Sequence, residues 1–292
     1  MSAPAAVRFQ PAWFEVLQAP FMQHALVGGS LVAIAAGLLG YFVITRQNAF
    51  AAHALAHIGF PGATGAILVG VPITLGLAVF CVGGGLLIGL FGKRVAEREI
   101  ATGTILAMAT GLGVLFASLA SANASATTSV LFGNLLAISR PELLVFAAFT
   151  AAVVLALAVI ARPLVFASVD PAVAGARGVP VRGLGVAFVV LLALTITMAV
   201  QVVGTLLLFA LVVTPAATAL RLTARPGRVA AVAVALALGA VWGGLVLAAM
   251  FDLPPSFFVV SLSVVSWLAV LALTGRRRAP VEQPLRDTHH VH

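Results

Sequence analysis

The chain has 292 residues, 62% of them hydrophobic and only 8% charged, with a formal net charge of +8. That composition excludes a soluble globular domain and points to a polytopic membrane protein whose solvent is mostly lipid. The positive balance does not call for nucleic acid, because basic loops held on the cytoplasmic side explain it.

Residues 1–21 form an N-terminal segment of mixed polarity with no signal-peptide pattern. In it, Trp13 and Phe14 suit either the headgroup region or a frayed terminus. Apolar runs follow at about 22–45, 50–70, 72–92, 100–121, 142–162, 184–202, 204–222, 229–251 and 256–274. Each is close to the ~20 residues that a helix needs to cross a bilayer, and none shows the alternation of a membrane strand. The expected fold is an all-α polytopic membrane domain over 22–274 with eight to nine transmembrane helices. The count is soft at 184–222, a nearly continuous run of about 58 Å if fully helical at ~1.5 Å per residue. Gln201 and Gly204 offer its only obvious reversal point, and a re-entrant or broken helix there gives eight spans.

Charge orients this layout. With the C-terminus inside, nine spans put Arg46, Lys93, Arg94, Arg98, Arg162, Arg177, Arg182, Arg221, Arg225, Arg228 and the basic tail on the cytoplasmic side. Only Arg8 and Arg140 fall outside. The positive-inside rule predicts such asymmetry, and the opposite orientation inverts it. The N-terminal segment is then extracytoplasmic, and the polar tail 275–292 cytoplasmic.

Two connections stand out. In 163–183, Asp170 reads as an N-cap, Pro171 as a first helical residue and Gly178 as a terminator. The short inner helix at about 170–178 is either a docking element or a simple connector. The outer segment 122–140 holds an apolar stretch, 129–138, too short to span and fit for an interfacial or re-entrant helix. The tail ends in His289, His290 and His292, either a metal-binding tract or a disordered polar end. The lone Cys81 cannot make an internal disulfide and reads as a small hydrophobe.

The chemistry concentrates in "HALAHIGFPG" at 53–62. No Asp or Glu falls inside a predicted span, which argues against a carboxylate proton relay. His53 and His57 are left as the ionisable pair at membrane depth. Four residues apart on a helix, they share a face and can share a transition-metal ion. Gly59, Pro61 and Gly62 then predict a helix break, tolerated at membrane depth where it faces protein or a water-filled path. The alternative is that each histidine hydrogen-bonds a neighbouring helix. Two ligands make a weak site, which suits an ion that has to leave again. The pair lacks the Glu of a zinc protease motif, and no P-loop or nucleophile elbow is present. An enzyme is therefore not expected, and the chain has no visible means of splitting ATP.

Several segments, in order, resemble the membrane permease of bacterial ABC importers for zinc and manganese, the ABC-3 family. They are "FMQHALVGGSLVAIAAGLLGYFVITRQNAF" (21–50), "HALAHIGFPG", "LFGNLLAIS" (131–139), "VDPAVAGARGVPV" (169–181) and, most specifically, "VVGTLLLFALVVTPAATA" (202–219). The resemblance implies a type II-like permease in the bacterial inner membrane, dimeric and working by alternating access. Cytoplasmic ATP-binding subunits would drive it and an extracytoplasmic metal-binding protein would feed it. It implies that Asp170, Pro171, Ala174, Gly175 and Gly178 carry the ATPase contact, and that His53 and His57 line the metal path. No cofactor is implied beyond the transported ion.

The sequence departs from the family pattern at three points: His53 stands where the family has Asp, Asn134 replaces an Asp, and Glu99 sits where Asp is frequent. Imidazole suits zinc, whereas manganese prefers oxygen ligands, so the first departure tilts the expected cargo to zinc. Manganese or iron import, or a self-sufficient secondary transporter or channel, is the alternative.

Overall fold

A computed structural model describes residues 10–11, 13–91, 95–120, 130–205 and 208–275. The tail histidines and the arginines at 276–278 lie outside them. Proline sets several helix starts, where its missing N–H costs nothing and its fixed φ suits the first turn. The helices are α1 (Trp13–Gln18), α2 (Pro20–Thr45), α3 (Ala49–Val69), α4 (Ile73–Phe91) and α5 (Val95–Leu119). A single 3-10 turn, Leu135–Ala137, precedes α6 (Arg140–Val169) and the short α7 (Pro171–Ala176). Then come α8 (Val181–Val203), α9 (Leu208–Val212), α10 (Thr214–Leu222), α11 (Pro226–Phe251) and α12 (Pro255–Gly275).

Among the described residues, seven helices are long and apolar enough to cross a membrane, fewer than the eight or nine crossings expected. The apolar stretches Ile73–Gly89 and Leu208–Leu222 are shorter. The second of these corrects the reading of 204–222 as one span. After α8 the chain turns at Gly204, with φ +84, and continues as two short helices. Pro215 sits in the first turn of α10, where it gives the chain a fresh start and takes one N–H out of the ladder.

α2 lies at the centre, packed on α6, α8, α10 and α11. Its small residues allow this. A Cβ on Gly37 would stand 2.7 Å from the Val234 backbone of α11, the close approach that takes the place of a hydrophobic drive between helices in lipid. α3, α4 and α5 form a second group, tied to the first through α8. Cys81 is buried between them with Sγ 3.4 Å from the carbonyl of Leu55, a small packed side chain as expected.

Of the 129–138 stretch, the described residues are helical at 130–132, turn at Gly133 and Asn134 and end in the 3-10 turn. Gly133 and Gly204, both at positive φ, meet backbone to backbone. The Asn134 N–H donates to the Gln201 carbonyl at 3.0 Å, and the Thr205 N–H to the Val130 carbonyl at 3.2 Å. A side chain on either glycine would collide with the other segment.

Candidate functional site: an imidazole pair and an exposed connecting helix

The position of the histidines follows from how α3 is held. Ala54, Leu55, Ala56 and Ile58 are buried. Beyond them Gly59 lies against Leu77 and Cys81 of α4, and Gly62 meets the Gly76 carbonyl. With this face turned inward, His53 and His57 are left on the less covered side, each half-buried. Their ring centroids are 4.8 Å apart, with planes at 78°. Phe209 of α9 stands edge-on to His53, at 6.4 Å between centroids.

Neither imidazole makes a hydrogen bond among the described residues, and Nδ1 of His53 is buried without a partner. The alternative in which each histidine serves a neighbouring helix therefore lacks its hydrogen bonds. A buried polar atom left unpaired asks for an explanation, and an imidazole nitrogen without a partner is a ligand atom in waiting. The described residues hold no group of three or more His, Cys, Asp or Glu side chains close enough to share a metal.

The helix break expected at Gly59, Pro61 and Gly62 is not there. α3 runs unbroken from Ala49 to Val69 with Pro61 inside it. Its neighbours pack closely around the proline. Gly62 lets α4 close in at Gly76, and Gly113 of α5 receives the Phe60 ring. The Thr64 hydroxyl lies 3.1 Å from the Phe60 carbonyl and 3.3 Å from that of Gly113, so it ties α3 to α5 beside the proline. Pro61 still has an effect, because it has no N–H to give the carbonyl of His57 one turn earlier. The break signal thus marks a freed carbonyl at the second histidine.

α7 matches the short helix read at 170–178. Oδ1 of Asp170 accepts the Val173 N–H at 2.9 Å, Pro171 is the first residue, and Gly178 closes the turn at φ +80. Only Ala174 is buried in it; Pro171, Ala172, Val173, Gly175 and Ala176 are exposed, as are Gly178 and Val169 beside it. In the sequence Arg46 marks only the inner side. In the structure it is a junction. Its Nη1 donates to Ser168 Oγ at 3.2 Å, two residues before Asp170, and its guanidinium stands 5.3 Å over the Phe188 ring of α8. Arg46 closes α2, and α3 begins three residues later. The end of α6 that leads into α7 is therefore pinned at the elbow from which the histidine helix starts. An arginine facing an apolar segment was the available signal; its partners, 122 residues away or more, were not.

The ABC 3 transport family matches residues 18–274. The chain belongs to that family. Among its relatives within reach of alignment is the manganese transport system membrane protein MntC of Halalkalibacterium halodurans, 32% identical over 212 residues, or 72% of this chain and 73% of that one. A probable iron transport system membrane protein of Haemophilus influenzae is 29% identical over 263 residues, covering 85% of this chain and 95% of its own length. The fold is similar to PsaBC from Streptococcus pneumoniae, solved in complex with Fab, with a TM-score of 0.80 at 26% identity over 89% of this chain and 94% of that one. As an ABC 3 member the chain is a multi-pass membrane permease, the kind of subunit whose ATP hydrolysis is done by a separate ATPase.

Proposed function

We propose that this chain is the permease subunit of an ATP-driven importer of divalent transition-metal ions, with zinc as the cargo that its site chemistry favours. The observation that carries the reading is the pair of facing, half-buried imidazoles without hydrogen bonds, one with an orphaned nitrogen. Family membership supplies the transport class. Two neutral imidazoles hold zinc, nickel or copper better than manganese, and a two-ligand site lets the ion leave.

The complete importer contains two permease copies, two cytoplasmic ATP-binding subunits and an extracytoplasmic metal-binding protein. α7 docks into the ATP-binding subunit through its exposed face around Asp170, Pro171, Gly175 and Gly178, with Ala174 anchoring it to the permease. The C-terminus and α7 lie in the cytoplasm, as the distribution of Lys and Arg supports. Closure of the ATPases moves α7, Arg46 passes the movement to the α2–α3 elbow, and the ion at His53 and His57 is exposed to one side and then the other. A second reading, manganese or iron as cargo, is supported by the names of relatives.

The test is uptake of radioactive zinc into proteoliposomes holding permease, ATPase and binding protein. We expect uptake to require ATP, and the His53→Ala/His57→Ala double variant to fall to the level of vesicles without ATPase. Undiminished uptake by that variant removes the pair from the metal path. Uptake without ATPase or ATP removes the importer reading itself.

A further inference from the structure

α6 and α8 both run between α7 and the opposite pole of the bundle, since α6 ends and α8 begins beside α7. At that opposite pole, where α4 and α6 start and α8 ends, lies a cavity of about 220 Å³. Ile73, Leu77 and Val130 form apolar wall, and Asn134, Glu142 and Gln201 bring polar groups to it. One water needs only ~10–15 Å³ of such space, so an ion with part of its hydration shell fits.

The polar groups are arranged with oxygen to spare. Oε2 of Glu142 accepts both the Ser139 N–H at 2.8 Å and the Ser139 hydroxyl at 2.7 Å. No hydrogen bond reaches its Oε1, and no cationic side chain among the described residues pairs with it. Gln201 is fixed from three directions. Its Oε1 accepts from Thr74 at 3.0 Å, its Nε2 donates to the Thr197 carbonyl at 3.1 Å, and its own carbonyl holds the Asn134 N–H. An amide oxygen has two lone pairs, so Oε1 of Gln201 keeps one. The Asn134 side chain has no hydrogen-bond partner among the described residues. A carboxylate with a vacant oxygen, a clamped amide and a free amide on one otherwise apolar hollow make a hard, oxygen-only donor set. Manganese, calcium and magnesium take such ligands, and zinc also accepts carboxylate oxygen.

We propose that this cavity is a separate, oxygen-donor binding site for a divalent cation, held by Glu142, Asn134 and Gln201 and occupied before the imidazole pair. It rests on the importer reading only for the order of the two sites. If α7 faces the ATPases, the cavity faces the side from which metal arrives. The site admits hard divalent ions without selecting among them, and selection falls to the imidazoles.

The experiment uses the full permease–ATPase complex in nanodiscs with Mn²⁺ alone as the probe, read by its electron paramagnetic resonance. Glu142→Gln keeps an oxygen for Ser139 and so keeps the start of α6, but removes the charge. We expect its Mn²⁺ affinity at this site to fall by about tenfold, since ligand charge sets the affinity of oxygen sites over decades. Glu142→Asp recovers part of it, and His53→Ala/His57→Ala leaves it in place. In uptake, Glu142→Gln raises KM with kcat kept. Wild-type Mn²⁺ binding by Glu142→Gln, with unchanged thermal unfolding, overturns the proposal. So does loss of binding-protein association with Mn²⁺ binding intact, which makes the carboxylate a protein contact. The resonance measurement needs no transport, so a failed importer reading leaves its outcome readable.

Discussion

Two helices of this permease carry glycines that do opposite work. On α3, Gly62 lies where a Cβ would stand 2.7 Å from the Gly76 carbonyl carbon and 2.9 Å from Cβ of Phe80. On α7, a Cβ at Gly175 would meet only Cγ2 of Val181, at 4.0 Å. The first position is packed to its limit by its own chain. The second faces outward on a helix that buries Ala174 alone. α3 is a fixed platform for its imidazoles, and α7 keeps all but one of its side chains in the open. Substitutions in α3 should therefore be read in stability, and substitutions in α7 in coupling.

Gly62→Ala breaks the comparison most severely if it proves harmless. The clash is with backbone, which cannot swing aside, and overpacking of this kind costs about 1–3 kcal/mol. We expect a lower thermal unfolding temperature in detergent and reduced membrane yield. Gly175→Ala is the matched control. It should leave unfolding untouched, so a fall in metal uptake with ATP hydrolysis continuing reports contact with the ATPase at that face. Asp170→Ala comes next, removing the Val173 cap at a local cost of about 1 kcal/mol. It should reduce uptake several-fold without altering Mn²⁺ or Zn²⁺ binding to the permease. The smallest effect belongs to the tail: deletion of 284–292 should keep uptake within about twofold, as for other substitutions at polar ends.

Much of this was legible in the sequence, for reasons that differ along the chain. Apolar runs gave the helices because a crossing helix has to be apolar over its whole length. Asp170, Pro171 and Gly178 gave α7 because caps act locally. The spacing of His53 and His57 placed them on one face, and the rings do meet. What sequence patterns could not give depended on distant partners. Pro61 reads as a break until Gly76 and Gly113 are seen packed around it. Gln201 reads as a reversal point, yet its side chain is tied to Thr74 and Thr197 on the wall of a cavity it shares with Asn134 and Glu142. A polar side chain in a long apolar run was the signal there, since lipid tolerates one only with partners. Hydropathy left 204–222 open between one span and a broken helix, because it does not register the turn-and-restart of α9 and α10.

The central claim is that the imidazole pair on α3 contacts and selects the transported ion. Metal competition for uptake, run on the wild type and on His53→Asp in the reconstituted importer, tests it most directly. Zinc should outcompete manganese in the wild type, and His53→Asp, by exchanging a nitrogen donor for oxygen, should shift the preference towards manganese. An identical competition profile in the two proteins would contradict it.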